Sequence, residues 1–442
     1  MNIFVSTVYR GLQFVKGGKI KDCFARAFDM LDIFRNYGKD NELQVQQRML
    51  KQMLRYANKH CKYFRNIGKN LNDPLDIKQY PFMDKDTIRE NFDAIASDNK
   101  DKMIWNIGRT GGSSGDPLEF LNGAPIDEFF QHQVWMHHDY EKGDKILSMM
   151  GIKMKEENVK KGIYWQDLPE FADSQGEYNI SALYMNKNNI KIFADYIYNL
   201  KPTYFRGFPS FILEITKYFE ENNYNIDFNV KRIELTSETS YEDQWKYLEK
   251  FYNTKVILQY GHTEQCVFAY SYDDTKKLRV EPLYGYVEIL DENGNQVKEG
   301  KIGEVVVTSL HNYVMPFIRY KTGDYAEFGG WDGKYMILNR IIGRSYDYLI
   351  NREGTKLSFT VLVAEHHTAA IGNVAKWQFE QFEQGKVKLR IVKAKKYTKE
   401  NEEELISFFD EFAKVDVDIE YVEDIPKTNR GKNKLIIQHL YM

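Results

Sequence analysis

The chain is poor in cysteine and carries no strong charge of either sign, and both features exclude classes of protein. Only three cysteines, Cys23, Cys61 and Cys266, occur among 442 residues. Their wide spacing and odd number argue against a cysteine-based zinc cluster and fit a reducing cytoplasm. The formal net charge of −3 gives no general attraction to nucleic acid or to an anionic membrane. We therefore expect a cytoplasmic protein without a nucleic-acid partner.

The start of the chain lacks a long uninterrupted apolar run. Residues 1–15 are mildly amphiphilic, but Arg10 interrupts them, Lys16 follows, and no small-residue cleavage site comes next. This pattern is typical of neither a signal peptide nor a membrane-spanning helix. We expect no stable membrane insertion. A monomer and a homodimer both remain open.

Proline is sparse, with 10 residues beside 29 glycines, and one stretch is unusually rich in turn-forming residues. From Arg109 to Pro117, eight of nine residues are Gly, Ser, Thr, Asp or Pro. Glycine permits positive φ and close approach to a ligand, and consecutive amides can cradle an anion. No Lys-Ser/Thr pair follows, so this glycine loop is not a Walker loop. A plain turn between two short strands is the alternative.

The length exceeds what a single hydrophobic core usually supports, so we expect two or three domains. Apolar residues make up 43% of the chain, including 31 Tyr and 28 Phe, which is enough for a large core. The patterns predict a helical N-terminal subdomain over 1–95, a ligand-binding core over 96–342, and a small α+β domain over 343–442.

Residues 145–260 alternate between strand and helix patterns. The apolar strands are Ile146–Met150, Arg232–Thr236 and Val256–Leu258, and the helical patterns cover 189–200, 209–222 and 241–252. Such alternation predicts an α/β layered core, with ligands at the carboxyl ends of the strands. Two polar turns fall there, at Ser237–Thr239 and Tyr260–Glu264.

A predicted helix over 125–142 contains His132, His137 and His138. Glu128 precedes His132 by one helical turn, but no clear third ligand joins the pair. We expect these histidines to pack on the helix face or in the core rather than to bind a metal.

Several motifs follow one another in a characteristic order. They are the glycine loop, Tyr-Gly-x-Thr-Glu (260–264), Tyr-x-Thr-Gly-Asp (320–324), Gly343-Arg344 and Pro-Lys-Thr-x-x-Gly-Lys (426–432). In this order they resemble the adenylate-forming enzymes, which include acyl-CoA synthetases, adenylation domains and luciferases. The stretches Leu54–Ala57 with Tyr63–Arg65, Pro81–Lys85 and Phe317–Asp324 resemble phenylacetate–CoA ligase and its capsule-biosynthesis-associated relatives. The resemblance covers nearly the whole chain.

The resemblance implies a large layered N-terminal domain, with β-sheets flanked by helices, and a small mobile α+β C-terminal domain. It also implies ATP- and Mg²⁺-dependent adenylation of a carboxylic acid, followed by acyl transfer to a thiol, with coenzyme A as the expected acceptor. Transfer to an amine, for example in surface polysaccharide biosynthesis, is the alternative. A nucleotide-binding protein without catalysis is a third hypothesis, against which Glu264 and Lys432 argue.

The resemblance also implies a role for each motif in nucleotide binding. The β- and γ-phosphates would be wrapped by the glycine loop, through Thr110, Gly111, Gly112, Ser113, Ser114 and Gly115. The adenosine and its α-phosphate would be bordered by Ser237, Glu238, Tyr260, Gly261, Asp324 and Arg344, with Tyr260 on adenine and Asp324 on the ribose hydroxyls. At the usual hinge motif Gly-Arg-x-Asp-Asp, Tyr346 stands where relatives have the first Asp.

The implied catalytic residues are Thr263 at the α-phosphate, Glu264 on Mg²⁺, and Lys432 from the small domain. A carboxylate attacking a polyphosphate brings two anions together, so cations must neutralise the charge that develops. A single carboxylate with water and phosphate oxygens suits Mg²⁺. A lysine on a mobile domain makes catalysis depend on closure, which excludes water.

The acid pocket is expected between the 125–142 helix, the 202–212 stretch and the strand leading to Tyr260. Its aromatic residues are Trp135, Tyr204, Phe205 and Phe208. They favour an aromatic or medium-sized acid, although large aromatic side chains equally often fill cores.

Overall fold

The computed structural model of the chain describes residues 33–110, 118–123, 126–141, 143–167, 177–344, 348–358, 370, 373–394, 396–426 and 435–440. Its α-helices are α1 (Glu42–His60), α2 (Lys62–Gly68), α3 (Lys85–Glu90), α4 (Phe92–Ile95), α5 (Asp127–His137), α6 (Glu156–Lys160), α7 (Ile190–Leu200), α8 (Pro209–Glu221), α9 (Glu242–Tyr252) and α10 (Lys399–Phe408). Short 3-10 turns cover Ile77–Gln79 and Lys100–Lys102, and a π-helical turn covers Phe409–Ala413. None of the helices in these ranges combines the length and apolarity needed to cross a bilayer.

The strands divide between one large sheet and three small ones. They are β1 (Asn106–Arg109), β2 (Glu119–Asn122), β3 (Ile146–Met150), β4 (Trp165–Asp167), β5 (Glu177–Ser181), β6 (Tyr204–Gly207), β7 (Arg232–Thr236), β8 (Lys255–Gly261), β9 (Phe268–Ser271), β10 (Leu278–Val280), β11 (Gly285–Leu290), β12 (Ile302–Ser309), β13 (Tyr320–Asp332), β14 (Tyr335–Arg344), β15 (Tyr348–Ile350), β16 (Lys356–Ser358), β17 (Val374–Glu383), β18 (Lys386–Lys393), β19 (Asp416–Tyr421) and β20 (Ile436–Gln438). The large sheet has twelve strands in the order β11-β12-β13-β14-β10-β9-β8-β7-β6-β3-β5-β4.

The large sheet is parallel in one half and antiparallel in the other. Strands β5, β3, β6, β7 and β8 pair in parallel. From β8 through β9 to β11 the pairs are antiparallel. This mixed α/β sheet with a separate small C-terminal domain confirms the predicted fold class.

Both faces of the parallel strands are covered, as parallel sheets require. On one face Ile146, Tyr204 and Ile257 share a core with residues of α5. On the other face Leu147 and Phe205 share a core with residues of α7, α8 and α9. Successive residues of a strand point to opposite faces, so this division follows from the strand register.

The strand order reverses at β3, because β5 lies on one side of it and β6 on the other. Ligands of open α/β sheets bind at such a switch point, outside the carboxyl ends of the strands. Gly207, Thr236 and Gly261 end β6, β7 and β8. Gly207 allows close strand contact there, since a Cβ would lie 2.2 Å from the carbonyl oxygen of Met149.

The small C-terminal domain has its own core. A four-stranded sheet of order β19-β18-β17-β20 packs with α10 around Phe379, Leu389, Leu405 and Phe409. Helix α1, by contrast, places residues such as Leu50 in the same core as the large sheet. The predicted domain bounds at 95 and 342 stay predictions.

Helix α1 is fixed to the large sheet by buried polar contacts. Gln46 donates through Nε2 to the carbonyl oxygens of Pro282 at 2.9 Å and Gly285 at 3.0 Å. Beside it, buried Glu281 accepts a hydrogen bond from the Tyr37 hydroxyl at 3.1 Å. Burial, and then the neighbouring Glu42, raise the pKa of Glu281 to about 8, although Lys334 and Arg279 oppose the shift.

We predict that Glu281→Gln makes the protein more stable than the wild type at pH 8, by a margin that shrinks towards pH 5. The pKa of Glu281 rises from its ordinary 4.5 to about 8 on folding, so the folded chain binds the extra proton. Stability is then lost as pH rises between those values, by about 1.4 kcal/mol per unit at most. Chemical denaturation at several pH values measures it.

Glu292→Gln is the matched control, because Glu292 is exposed on the turn between β11 and β12. Its pH dependence should parallel that of the wild type. A constant difference between Glu281→Gln and the wild type from pH 5 to pH 8 would contradict the prediction.

Candidate functional site

Tyr260 and Asp324 meet although they lie on distant strands. The Tyr260 hydroxyl donates to Asp324 Oδ2 at 2.8 Å, across 64 residues of sequence. Tyr260 is on β8 and Asp324 on β13, four strand positions apart in the large sheet. In a flat sheet four spacings would separate them by about 19 Å. The sheet must therefore bend strongly between β8 and β13.

Strand β13 is irregular on both of its edges, which accounts for the bend. Its register shifts against β12 between Glu304 and Val306, and against β14 at three places between Tyr325 and Trp331. Register irregularities of this kind bend a strand and increase its twist. The predicted base and ribose contacts, Tyr260 and Asp324, are brought together as a result.

The Asp324 backbone is held from both sides. Its amide donates to Thr322 Oγ1 at 3.0 Å, and the Thr322 hydroxyl donates to the carbonyl of Val305 at 2.8 Å. Asp324 also pairs in register with Arg344, the last residue of β14. The backbone of Arg344 thus lies next to that of Asp324.

Glu264 follows β8 in the turn that also contains Thr263, and it is only 6% exposed. Its Oε1 accepts a hydrogen bond from the Tyr320 hydroxyl at 3.0 Å. His262 Nδ1 lies 3.3 Å from Oε2. Burial, and next the charge of Glu264, raise the pKa of Tyr320 far above its ordinary value, so this phenol stays a donor.

Glu264 offers one carboxylate, which suits a metal ion that takes its other ligands from water and phosphate oxygens. In the described ranges no group of three or more His, Cys, Asp or Glu side chains could hold a metal ion. One carboxylate completed by water and phosphate oxygens is an arrangement that Mg²⁺ accepts. His138, directly after α5, is buried, and burial lowers its pKa to about 4.

The turn after β7 places Ser237 and Glu238 at the same sheet edge. Ser237 adopts a left-handed backbone conformation with φ of 69°. Glu238 turns towards α8, where its Oε2 accepts the Ser210 amide at 3.1 Å. Both residues thus border the carboxyl end of β8, with the Glu238 carboxylate tied to the start of a helix.

The ends of the glycine loop form the predicted hairpin. β1 and β2 pair antiparallel up to Arg109 and Glu119, whose side chains make an ion pair of 2.7 Å. Thr110 is 4% exposed and closes the hairpin, with its amide donating to Leu118 O at 2.9 Å and its hydroxyl accepting Leu118 N–H at 3.0 Å. Gly111–Gly115 and Lys432 lie outside the described residues, as does Tyr346.

The four aromatic residues proposed for the acid pocket divide between the two faces of the sheet. Trp135 and Tyr204 lie in the core under α5, and Phe205 and Phe208 lie in the core under α7 to α9. Phe205 packs edge-on against Tyr252, with ring centroids 5.1 Å apart. Because strand residues alternate, Tyr204 and Phe205 point to opposite faces of the sheet, and the acid pocket stays a prediction.

Between α5 and the sheet lies a polar cluster that sequence reasoning missed. Glu234 is buried on β7, and its Oε2 accepts Gln131 Nε2 at 2.7 Å and Trp135 Nε1 at 3.2 Å. Its Oε1 accepts Arg206 Nε at 3.2 Å. The signal was a charged residue in the interior of β6 and another in the interior of β7, at positions 206 and 234.

The small domain contacts the large one beside α8. Lys376 Nζ lies 3.0 Å from Glu214 Oε2 of α8 and 2.9 Å from Asp424 Oδ1 of its own domain. Lys187 and Glu423 form a second ion pair across the domains. Burial lowers the pKa of Lys376, but Glu214 and Asp424 outweigh it, so the pKa rises. Lys376 and Asp424 of the small domain are therefore held next to α8.

The sequence of this chain is similar to those of known proteins. Residues 349–439 match the family described as the CapK C-terminal domain. The chain is similar to Protein CapK of Staphylococcus aureus, with 26% identity over 423 residues, covering 90% of this chain and 89% of the relative.

Solved structures share the fold. A 2-hydroxyisobutyryl-CoA ligase in its postadenylation state has a TM-score of 0.64 at 16% identity, over 89% of each chain. Its thioesterification state, with an acyl-AMP and CoA, has a TM-score of 0.54 over the same shares at 16% identity. The acyl acid amido synthetase AtGH3.15 has a TM-score of 0.58 at 15% identity, over 86% of this chain and 87% of its own. The predicted resemblance to adenylate-forming enzymes is confirmed at the level of the fold.

We predict that Glu264→Gln leaves the thermal midpoint of the ligand-free protein unchanged or raises it by about 1–2 °C. The amide oxygen still accepts from Tyr320, while the cost of burying a charge is removed. Tyr320→Phe is the comparison variant and should lower the midpoint, since it leaves the carboxylate without that donor. Differential scanning calorimetry without nucleotide distinguishes the two. A large destabilisation by Glu264→Gln would mean that the carboxylate serves the fold.

Proposed function

We propose that this chain, which has the fold of the adenylate-forming ligases, uses ATP to convert a carboxylic acid into an acyl-adenylate. A carboxylate oxygen attacks the α-phosphorus, the bond to the bridging oxygen breaks, and pyrophosphate leaves. The observation that carries the proposal is the Tyr260–Asp324 contact beside the Glu264 turn. It gathers a phenol, a carboxylate for ribose and a carboxylate for a cation at one sheet edge.

The nucleotide is proposed to lie across that edge. Asp324 accepts hydrogen bonds from the ribose hydroxyls, and Tyr260 places its ring against adenine while its hydroxyl orients Asp324. Thr263 is proposed to contact the α-phosphate, and the glycine loop to surround the outgoing phosphates. The fixed backbone around Asp324 supports this assignment, because preorganised groups need no reordering during the reaction.

Glu264 is the residue proposed to hold Mg²⁺, with phosphate and water oxygens as its other ligands. When bound, the ion would supply positive charge to the phosphates. Tyr320 orients the carboxylate by its hydrogen bond to Oε1. Lys432 is proposed to approach the acid and the α-phosphate from the small domain. The ion pair between Lys376 of the small domain and Glu214 of α8, which joins the two domains, supports that approach.

A thiol, with coenzyme A expected, is the proposed acceptor of the acyl group. The structural similarity to a ligase solved with an acyl-AMP and CoA supports it. An amine, for example on a sugar of a surface polysaccharide, is the second candidate acceptor. The similarity to an acyl acid amido synthetase supports that candidate.

We predict acid-dependent exchange of radiolabelled pyrophosphate into ATP by the wild type across a panel of carboxylic acids. Lys432→Ala should reduce the exchange at least about a hundredfold, because a preorganised cation at developing charge is worth that much. ATP binding, measured by calorimetry, should persist. Lys434→Ala removes the same charge two residues away and should retain exchange.

Two outcomes would contradict the proposal in different ways. No exchange with any acid, together with no ATP binding, would remove the adenylation function. Unchanged exchange in Lys432→Ala would remove only Lys432 from the site.

We also predict that product analysis separates the two acceptors. With an acid that supports exchange, coenzyme A should give a thioester, since its thiolate attacks the adenylate carbonyl and AMP leaves. Hydroxylamine cleaves this thioester and so identifies it. Amino sugars supplied without coenzyme A should give no amide. Amide formation at a rate above that of the thioester would favour the amine.

A further inference from the structure

Beneath α5, on one face of the sheet, several buried polar atoms have no hydrogen-bond partner among the described residues. Gln131 Oε1, Gln265 Oε1 and His262 Nε2 are buried without a hydrogen-bond partner, whereas His262 Nδ1 lies 3.3 Å from Glu264 Oε2. The His262 side chain is 8% exposed. Buried polar atoms are nearly always satisfied, so several unpaired ones in a single region call for a ligand or water.

These groups are held together by α5. Asp127 begins this helix and accepts Gln265 Nε2 at 2.5 Å and the Tyr284 hydroxyl. Gln131 lies one helical turn later and donates to Glu234 at 2.7 Å. Residues four apart on a helix share a face. The unused oxygens of Gln131 and Gln265 therefore belong to one polar region.

Arg206 adds unused donors to this region. Its Nε binds Glu234, and its terminal amino groups make no hydrogen bond with the described residues. The side chain remains 22% exposed. Arg206 and His262 both interact electrostatically with Asp127, whose Oδ2 accepts Gln265 Nε2 from the turn after β8. That turn carries the proposed catalytic residues Thr263 and Glu264.

The charges of the region select the kind of ligand. One guanidinium already faces the buried carboxyl group of Glu234, and the exposed Asp127 adds a second carboxyl group nearby. A further anionic group would find no uncompensated cation here. A neutral hydroxyl, in contrast, accepts from a guanidinium and donates to an amide oxygen. An apolar ring would leave all of these groups desolvated and unpaired.

We infer that the acid activated by this chain carries a neutral hydroxyl group, which Arg206 and the amide oxygens of Gln131 and Gln265 recognise. The inference rests on the proposed adenylation and names the substrate class of that site. The aromatic or medium-sized acid that Trp135, Tyr204, Phe205 and Phe208 suggest stays a prediction, and the indole N–H of Trp135 is used to hold Glu234. Arg206 is thus assigned as a specificity-determining residue.

Pyrophosphate exchange by the wild type with matched acid pairs tests the inference. The pairs are propanoate with 2-hydroxy- and 3-hydroxypropanoate, hexanoate with its pentahydroxy analogue gluconate, and phenylacetate with mandelate. In each pair that supports exchange, the hydroxylated acid should have the higher kcat/KM, by about tenfold or more, because the apolar acid leaves buried polar groups unpaired. Equal or better exchange with the apolar members would overturn the inference while leaving adenylation intact. No exchange with any acid would remove the proposed function itself, and this inference with it.

Arg206→Met should abolish the preference while exchange with the apolar member persists. The double variant Arg206→Met/Glu234→Gln removes both charges and guards against misfolding caused by an unpaired buried carboxylate. Arg232→Met is the control, because Arg232 starts β7 and its guanidinium binds Asp139 at 3.0 Å. It should keep the wild-type preference. An unchanged preference in the folded Arg206 variants would remove Arg206 from recognition.

Discussion

The hydrogen bond from Tyr260 to Asp324 forms only because the twelve-stranded sheet bends. Four strand positions separate the two residues, yet their side-chain oxygens lie 2.8 Å apart. The second bond across this bend, from Tyr320 to Glu264, has the same requirement. The register irregularities of β13 thus bring the turns that follow the parallel strands close to β13 in the antiparallel half of the sheet. Ser237 follows β7 on the parallel side of the sheet, and Arg344 ends β14 next to β13, so the bend also brings these two residues' ends of the sheet towards each other.

Buried carboxylates near the sheet differ in how completely their neighbours satisfy them. Glu234 has donors on both oxygens, from Gln131, Trp135 and Arg206. Glu264 has one donor on Oε1, with His262 beside Oε2. A carboxylate whose lone pairs are all used serves the protein interior, whereas one with capacity left can bind a further group. The contrast supports a structural role for Glu234 and a ligand-binding role for Glu264.

Local patterns in the sequence correctly indicated many elements. The hairpin around the glycine loop, the α/β alternation from 145 to 260 and the two polar turns at strand ends follow from turn residues and apolar periodicity. The polar cluster at Arg206 and Glu234 could not be predicted in the same way. A charged residue within an apolar strand shows that a partner must exist, but that partner, Gln131 on α5, lies 103 residues from Glu234.

The sequence by itself determined the fold class, the order of the motifs and the kinds of side chain available for nucleotide chemistry. The tertiary structure alone decided which of those side chains meet. Adjacent residues such as Tyr204 and Phe205 look alike in the sequence, yet strand geometry sends them into different cores. Tyr260 and Asp324 meet for the opposite reason, because sheet curvature joins strands that are distant in both sequence and strand order. Local periodicity fixes the direction of a side chain, but only long-range packing fixes its neighbour.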